Sequence, residues 1–401
     1  MAAAGAFSSL GAFARAHASI AADDEALWRL VRDQFPLRPG FILMNAANLC
    51  PSPFAVSDAV VQYTRDIDAD ASFQNRAKFS ALYDEAISAL ARYMHARSDE
   101  LVLVRNTTEG NNVVINGLDL GPGDEVVLWD QNHPSNNVAW DVQAHRRGFA
   151  VRRVTTPVAP ASRDELVGAF ADVLTSRTRV LSFSHLSNVS GVELPASVLC
   201  ALARERGIWT HIDGAQTFGV QVVDLHAIGC DSYAGSAHKW FLGPKEGGLL
   251  YVRHQRAAEL WPSVVGVGWE EAQDQGARRF GTLGQRDDAM LAAMGRTVEF
   301  LEIIGNATID ARVRLLANTL KEGVRTHVPG AQLLTPIDPA LSGGVVLFTV
   351  RGMDMERAFE MLYERHGIGC ALMGETIRFC PHIYNPMDDV HRVVEAVQSL
   401  I

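Results

Sequence analysis

Lysine is scarce in this chain of 401 residues: Lys78, Lys239, Lys245 and Lys321 are its four lysines, against 32 arginines. Only a lysine amine loses its proton readily enough to capture a carbonyl, so chemistry of that kind has few candidates here. Cysteine is scarce too. The five residues Cys50, Cys200, Cys230, Cys370 and Cys380 are odd in number and lack CxxC spacing. They argue against a disulfide framework or a zinc site and fit a reduced compartment. The 13 histidines are scattered, without HxxxH spacing or Cys/His pairs at ligand distance, so no metal is expected. Basic charge is also short, with 36 Lys and Arg against 46 Asp and Glu, a net charge of −10. That removes the footprint a nucleic-acid backbone requires. No apolar run of about 18 residues occurs in the body of the chain, so no membrane span is expected.

What remains is a soluble globular composition, 48% hydrophobic and 20% charged, in a chain long enough for two or more domains. Residues 1–22 are mainly Ala, Gly, Ser and Phe, with Arg15 as the only formal charge. They resemble the apolar half of an export signal without its basic start. A low-order or helical tail is expected there, and a cytoplasmic protein; export is the alternative if the segment is the remainder of a signal.

From Phe41 onward, short apolar runs alternate with amphipathic stretches. Strands are expected at 101–104, 125–129, 149–154, 180–184, 209–212, 233–235 and 248–252. Helices are expected at 109–116, 136–147, 163–175 and 196–206. Continuous apolar strands alternating with helices predict a mostly parallel sheet covered on both faces. After Thr282 the texture changes to long helices (287–302 and 307–324), then strand, helix and strand (344–350, 355–365, 377–380) and a last helix from Met387. The expected organisation is α/β. A segment 23–44 joins a small C-terminal α+β domain (287–401), and a large domain spans 45–286.

In open parallel sheets ligands sit beyond the carboxyl ends of the strands. Thr107 and Thr108 follow the first strand and open a helix, which makes either a phosphate cradle or an ordinary N-cap. His133 follows the second, as a ring to stack on a flat ligand or as the start of a capped helix. The fourth ends in Ser184-His185-Leu186-Ser187-Asn188. Asp213, in Asp213-Gly214-Ala215-Gln216, ends a buried strand, where a carboxylate needs a cation or donor; a protonated ring nitrogen or a local cap would each serve. Lys239, in Ser236-Ala237-His238-Lys239-Trp240, sits among Ala, Trp and Phe, where desolvation would make it nucleophilic. Lys245 reads as a surface residue in a turn. Taken in order, these residues describe a cofactor with a phosphate, a basic ring nitrogen and an aldehyde: pyridoxal 5′-phosphate.

His211-Ile212-Asp213-Gly214-Ala215-Gln216 and Ser236-Ala237-His238-Lys239 resemble the class V aminotransferase family of fold-type I pyridoxal-phosphate enzymes. The likeness runs from about Phe41 to the C-terminus and is strongest to the isopenicillin N epimerase-like branch, beside the cysteine desulfurases. The resemblance implies a large domain with a mostly parallel seven-stranded sheet and a smaller α+β domain. It implies that Lys239 forms the Schiff base and moves the α-proton, that Asp213 keeps the ring nitrogen protonated, and that His133 stacks on the ring. By the same likeness Gln216 bonds the ring hydroxyl with Asn188 nearby, and Thr107, Thr108, Ser236 and His238 hold the phosphate. Gly281-Thr282 matches a loop that reaches the partner's phosphate, which implies a homodimer. Asn45 matches a segment on the substrate side. Arg378, in Ile377-Arg378-Phe379-Cys380, would clamp the substrate's α-carboxylate, with pairing to an internal acid as the alternative.

The desulfurase pattern requires a nucleophilic cysteine on a loop before the arginine segment. Here that stretch is short, and Cys370 falls in an apolar run, the setting of a packing residue. The expected function is therefore transamination or epimerisation of an amino acid or amine. A cysteine desulfurase or C–S lyase is the alternative, and a non-catalytic protein that keeps the cofactor fold is the rival from another class.

Overall fold

The computed structural model describes residues 9–401, so residues 1–8 of the expected tail lie outside the described residues. The thirteen strands in the described residues are β1 (Ile42–Leu43), β2 (Leu101–Val104), β3 (Glu125–Trp129), β4 (Ala150–Val154), β5 (Thr178–Ser184), β6 (Trp209–Asp213), β7 (Ser232–Ser236), β8 (Gly248–Val252), β9 (Ala331–Leu333), β10 (Val346–Val350), β11 (Ile368–Gly369), β12 (Ala371–Met373) and β13 (Thr376–Phe379).

Seven of them form one sheet in the order β2-β8-β7-β6-β5-β3-β4. Pairing is parallel from β4 through β7, and β8 runs antiparallel to both β7 and β2. Alternation along each strand feeds two cores. Val127, Trp129, Leu181, Phe183 and Ile212 face one, while Val126, Leu128, Val180 and Leu250 face the other. Burial on both faces is why these strands read as unbroken apolar runs.

A second sheet, β12-β13-β10-β9, is antiparallel. It packs under the helices Asn306–His327 and Met387–Gln398 around Leu316, Leu320, Phe348, Phe379, Val390 and Val394. Ile42 and Met44 also lie in this core, because β1 pairs in parallel with β11. The strand expected from residue 344 begins at Val346 instead. Gly344 packs so closely on Trp240 and Val313 that a Cβ there would collide with both.

Over its described part the N-terminal tail takes the helical one of the two forms expected for it, not the low-order one. Leu10–His17 is a helix capped by Ser9, and its fully buried Phe13 stacks on Phe300 with ring centroids 5.3 Å apart. Two helices, Phe54–Ala69 and Phe73–Tyr93, were not anticipated. The first buries only Val56 and Ala59, and the second buries mainly its C-terminal half, so neither carries an apolar stripe along its length.

Candidate active site

Strands β2, β3, β5, β6 and β7 end on one side of the large sheet, where the expected residues gather. Asn106 after β2 caps the helix Thr107–Gly117, its side chain accepting from the Glu109 N–H at 3.0 Å. The Thr107 N–H donates to Ser236 Oγ at the end of β7 (2.9 Å), and the two hydroxyls are 2.7 Å apart. Thr107 and Ser236 are buried, whereas Thr108 is exposed. Thr108 faces a cavity of about 510 Å³ whose walls include Asn106, Val264, Phe280 and Leu283. Hydroxyls around a helix N-terminus form a receptor for a phosphate dianion.

After β3, Asn132 stitches β3 to β5, donating to the Ser182 carbonyl (3.1 Å) and accepting from the Ser184 N–H (2.6 Å). His133 then caps the helix Pro134–Arg147. Its Nδ1 accepts from the Ser135 N–H at 3.2 Å, which leaves the ring proton on Nε2.

Asp213 ends β6, is almost fully buried, and has no cation within ion-pair distance among the described residues. Its Oδ1 accepts from the Ala215 N–H at 3.1 Å and its Oδ2 from Asn111 Nδ2 at 2.9 Å. The chain must turn sharply here: a Cβ on Gly214 would collide with the Tyr233 ring. Gln216 is held at both ends of its amide, by Trp240 Nε1 (2.7 Å) and the Ala47 carbonyl (3.2 Å). One Nε2 hydrogen is left for a ligand.

Lys239 lies in the turn after β7, which closes by the Leu242 N–H donating to the Lys239 carbonyl at 3.0 Å. Leu242 has φ +63°, an uncommon conformation for a branched residue, so the turn is held by its surroundings. The neighbouring His238 has an Nδ1 without a partner. Lys245 is tied to the N-terminal segment through the Cys50 carbonyl (2.8 Å) and Ser52 Oγ (3.1 Å), a structural role the sequence did not reveal.

Arg378 arrives from the small sheet, on β13 between Leu347 and Ala371. It is 5% exposed, donates to the Asn188 carbonyl (3.3 Å) and Asn45 Oδ1 (3.2 Å), and leaves Nε unpartnered. No carboxylate lies within ion-pair distance of it among the described residues, which speaks against pairing with an internal acid. Thr282 joins none of these groups in the single chain. Its hydroxyl accepts from the Gly266 N–H at 3.4 Å.

The donors and acceptors left over fit one kind of ligand. Asp213 lacks a cation, Arg378 lacks an anion, His238 has a free ring nitrogen, and a helix N-terminus lies beside two buried hydroxyls. A phosphorylated pyridine carrying an amino acid meets all four.

A family model described as aminotransferase class-V matches residues 42–393. The chain belongs to that family. It is a pyridoxal-phosphate-dependent enzyme of fold-type I. It is 32% identical to the isopenicillin N epimerase of Amycolatopsis lactamdurans over 93% of this chain and 98% of that protein. It is 27% identical to a probable cysteine desulfurase of Methanothermobacter thermautotrophicus over 92% of this chain and 97% of that protein. Among solved structures it is similar to the cystine C–S lyase C-DES in complex with cysteine persulfide, with a TM-score of 0.84 and 23% identity over 92% of this chain and 100% of that chain. It is also similar to the cysteine desulfurase CsdA from Escherichia coli, with a TM-score of 0.82 and 24% identity over 94% of this chain and 98% of that chain. These structural likenesses concern the fold.

In this class V aminotransferase family member, burial drives the electrostatics of the site. It lowers the Lys239 ammonium below the usual lysine range; Asp213 opposes that shift and Arg378 adds to it. Burial and then Lys239 lower His133, and burial followed by Lys239 and Lys245 pushes His238 down to about 4. All five cysteines are free and buried. Burial raises the Cys370 thiol to about 12 and raises Cys380 as well.

Two fully buried histidines predict acid sensitivity. Burial pushes His211 down to about 3 and His382 to about 4. An unfolded chain protonates both near 6.5, so stability is complete above that pH and falls as the pH drops towards 4 and 3. The urea midpoint is expected to be flat from pH 8 to 7 and to fall steadily below about 6.5. A His382→Gln variant should show a shallower fall. A midpoint unchanged between pH 7 and 5 would contradict the neutral burial of these rings.

Proposed function

We propose that the chain transforms an amino acid at its α-carbon, by epimerisation or transamination, with Lys239 as the proton carrier. The observation that carries this reading is Arg378: a buried guanidinium without a carboxylate partner, close enough to Lys239 for its charge to act there. A buried cation of this kind is costly until an anion meets it, and a bidentate carboxylate matches its fork. Asn45 and the Asn188 carbonyl hold that fork in place.

Pyridoxal phosphate, when bound, supplies an electron sink for bonds at the α-carbon. Thr107, Thr108, Ser236 and His238 would hold its phosphate and Asp213 its ring N–H. His133 would cover one ring face, and Gln216 would donate its free hydrogen to the ring hydroxyl. Lys239, its ammonium pKa lowered by burial, would take the α-proton on its own side of the substrate. Epimerisation would need a proton delivered to the α-carbon on the face opposite Lys239, since return from Lys239 itself restores the starting enantiomer; transamination would need only Lys239, as the group that carries the proton away from the α-carbon. The curated epimerase relatives support the first branch.

Desulfurase chemistry by a thiol of this chain is disfavoured, because Cys370 and Cys380 are buried and held protonated. The free cysteines fit a cytoplasmic enzyme. A homodimer is supported by the exposed apolar residues Trp261, Val264, Val265 and Val267, in a segment that packs on Thr282 through Gly266. Thr282 would then reach the partner's phosphate.

The test is an absorption titration of the cofactor-loaded protein with L- and D-amino acids in heavy water. α-Deuterium in both enantiomers with the aldehyde-form band retained indicates an epimerase. Loss of that band, restored by a keto acid, indicates a transaminase. Rapid sulfide release from cysteine that is lost in Cys370→Ser or Cys380→Ser would overturn both. No spectral response to any amino acid would point to a binding protein.

A further inference from the structure

Asp213 sits at the end of a buried chain of side chains that runs across two strands and a helix. The Trp209 indole N–H meets Ser232 Oγ at 3.1 Å, Ser232 Oγ lies 2.9 Å from His211 Nδ1, and His211 Nε2 lies 3.0 Å from Asn111 Oδ1. Asn111 Nδ2 closes on Asp213 Oδ2 at 2.9 Å. All five residues are buried. Strand geometry assembles most of the chain: Trp209, His211 and Asp213 share one face of β6 at a spacing of two, and Ser232 is the register partner of His211 on β7.

The direction of this chain is set at its far end. An indole nitrogen can only donate, so Ser232 Oγ accepts from Trp209. The single Ser232 hydroxyl hydrogen then goes to His211 Nδ1, since its other acceptor, the Thr210 carbonyl, is at 3.5 Å. Burial keeps His211 neutral, so its one ring hydrogen is on Nε2 and points at Asn111 Oδ1. The Asn111 amide is thereby oriented with its N–H towards Asp213. The opposite orientation would set the amide oxygen against a carboxylate oxygen and suits only a carboxylic acid.

We propose that Asn111 and His211 are positioning residues, which fix Asp213 as a carboxylate acceptor for the cofactor's ring N–H through a one-directional relay that starts at Trp209. The inference rests on the cofactor reading above. The other charged or titratable groups near Asp213 are Lys239, His133 and Tyr233, and none of them belongs to the relay. Without the relay the Asp213 carboxylate keeps only the Ala215 N–H and is free to turn from the ring. The ring nitrogen then holds its proton less well, and the electron sink weakens while substrate binding, which uses Arg378, does not.

The experiment compares wild type with Asn111→Ala, His211→Phe, His211→Gln and Ser232→Ala, each loaded with pyridoxal phosphate labelled with ¹⁵N in the ring. Ring-nitrogen protonation is read by NMR, and kcat and KM are measured separately. Asn111→Ala and His211→Phe are expected to lower the protonated fraction at neutral pH and to reduce kcat by roughly 10- to 100-fold with KM within about threefold of wild type. His211→Gln, which can still donate to Asn111, should recover most of both. Ser232→Ala, the smallest change, should show the same effects in weaker form, and it serves if a larger substitution prevents folding. Variants that bind cofactor with wild-type ring protonation and wild-type kcat would overturn the relay alone. A wild-type chain that takes up no cofactor would overturn the cofactor reading, and the relay with it.

Discussion

Lys239→Ala is expected to abolish turnover and α-proton exchange while leaving a folded protein. The residue is a tucked-in amine in a turn held by Leu242, not a core-packing group, so the change removes a reactive atom from a preformed pocket. Losing the proton carrier alone is expected to reduce kcat/KM by about 10⁴-fold or more, at the upper end of general acid–base contributions. Two measurements check it. The band of the covalently held cofactor should be missing from the absorption spectrum, and α-deuterium should not accumulate from either enantiomer. Retention of the band in the variant would mean that another amine captures the aldehyde, and Lys245, tethered to Cys50 and Ser52, would be the next candidate.

Arg378→Met is expected to separate function from stability. Removing one partner of a desolvated, hydrogen-bonded charge pair costs about 2–5 kcal/mol, so KM for an α-amino acid should rise roughly 30-fold or more. For an amine without a carboxylate the change should be small, because the lost partner is the carboxylate. The cofactor-free protein should melt at the same temperature as wild type or higher, because an apolar side chain replaces a buried guanidinium that has no carboxylate partner. An equal loss for amino acids and amines, or a large drop in melting temperature, would mean that Arg378 holds the fold and not the substrate.

Much of the large sheet was legible because its strands are buried on both faces. Leu101–Val104 is apolar throughout and Glu125–Trp129 is apolar after its buried Glu125, and their polar followers mark the strand ends where the candidate site lies. His133, Asp213 and Lys239 could therefore be picked out one after another. The helices Phe54–Ala69 and Phe73–Tyr93 were not, since tertiary packing along only part of their length leaves no regular stripe. Asn111 was passed over inside an amphipathic helix, although it lies one helical turn from Thr107 on the same face. His211 stood in a recognised motif without a role, although strand alternation placed it beside Asp213.

The linear chain by itself determined the family, the cofactor and which strand-end residues make up the candidate site, because those depend on residue types at the ends of locally recognisable strands. Tertiary structure alone decided the antiparallel placement of β8, the isolation of Arg378 from every described carboxylate, and the direction of the relay onto Asp213. The physical reason is range. Periodicity reports which face of an element is buried, but a hydrogen-bond partner or a missing counter-ion depends on what the fold brings across. Asn111 and Asp213, 102 residues apart in sequence, meet only when β2, β6 and the helix between them are packed.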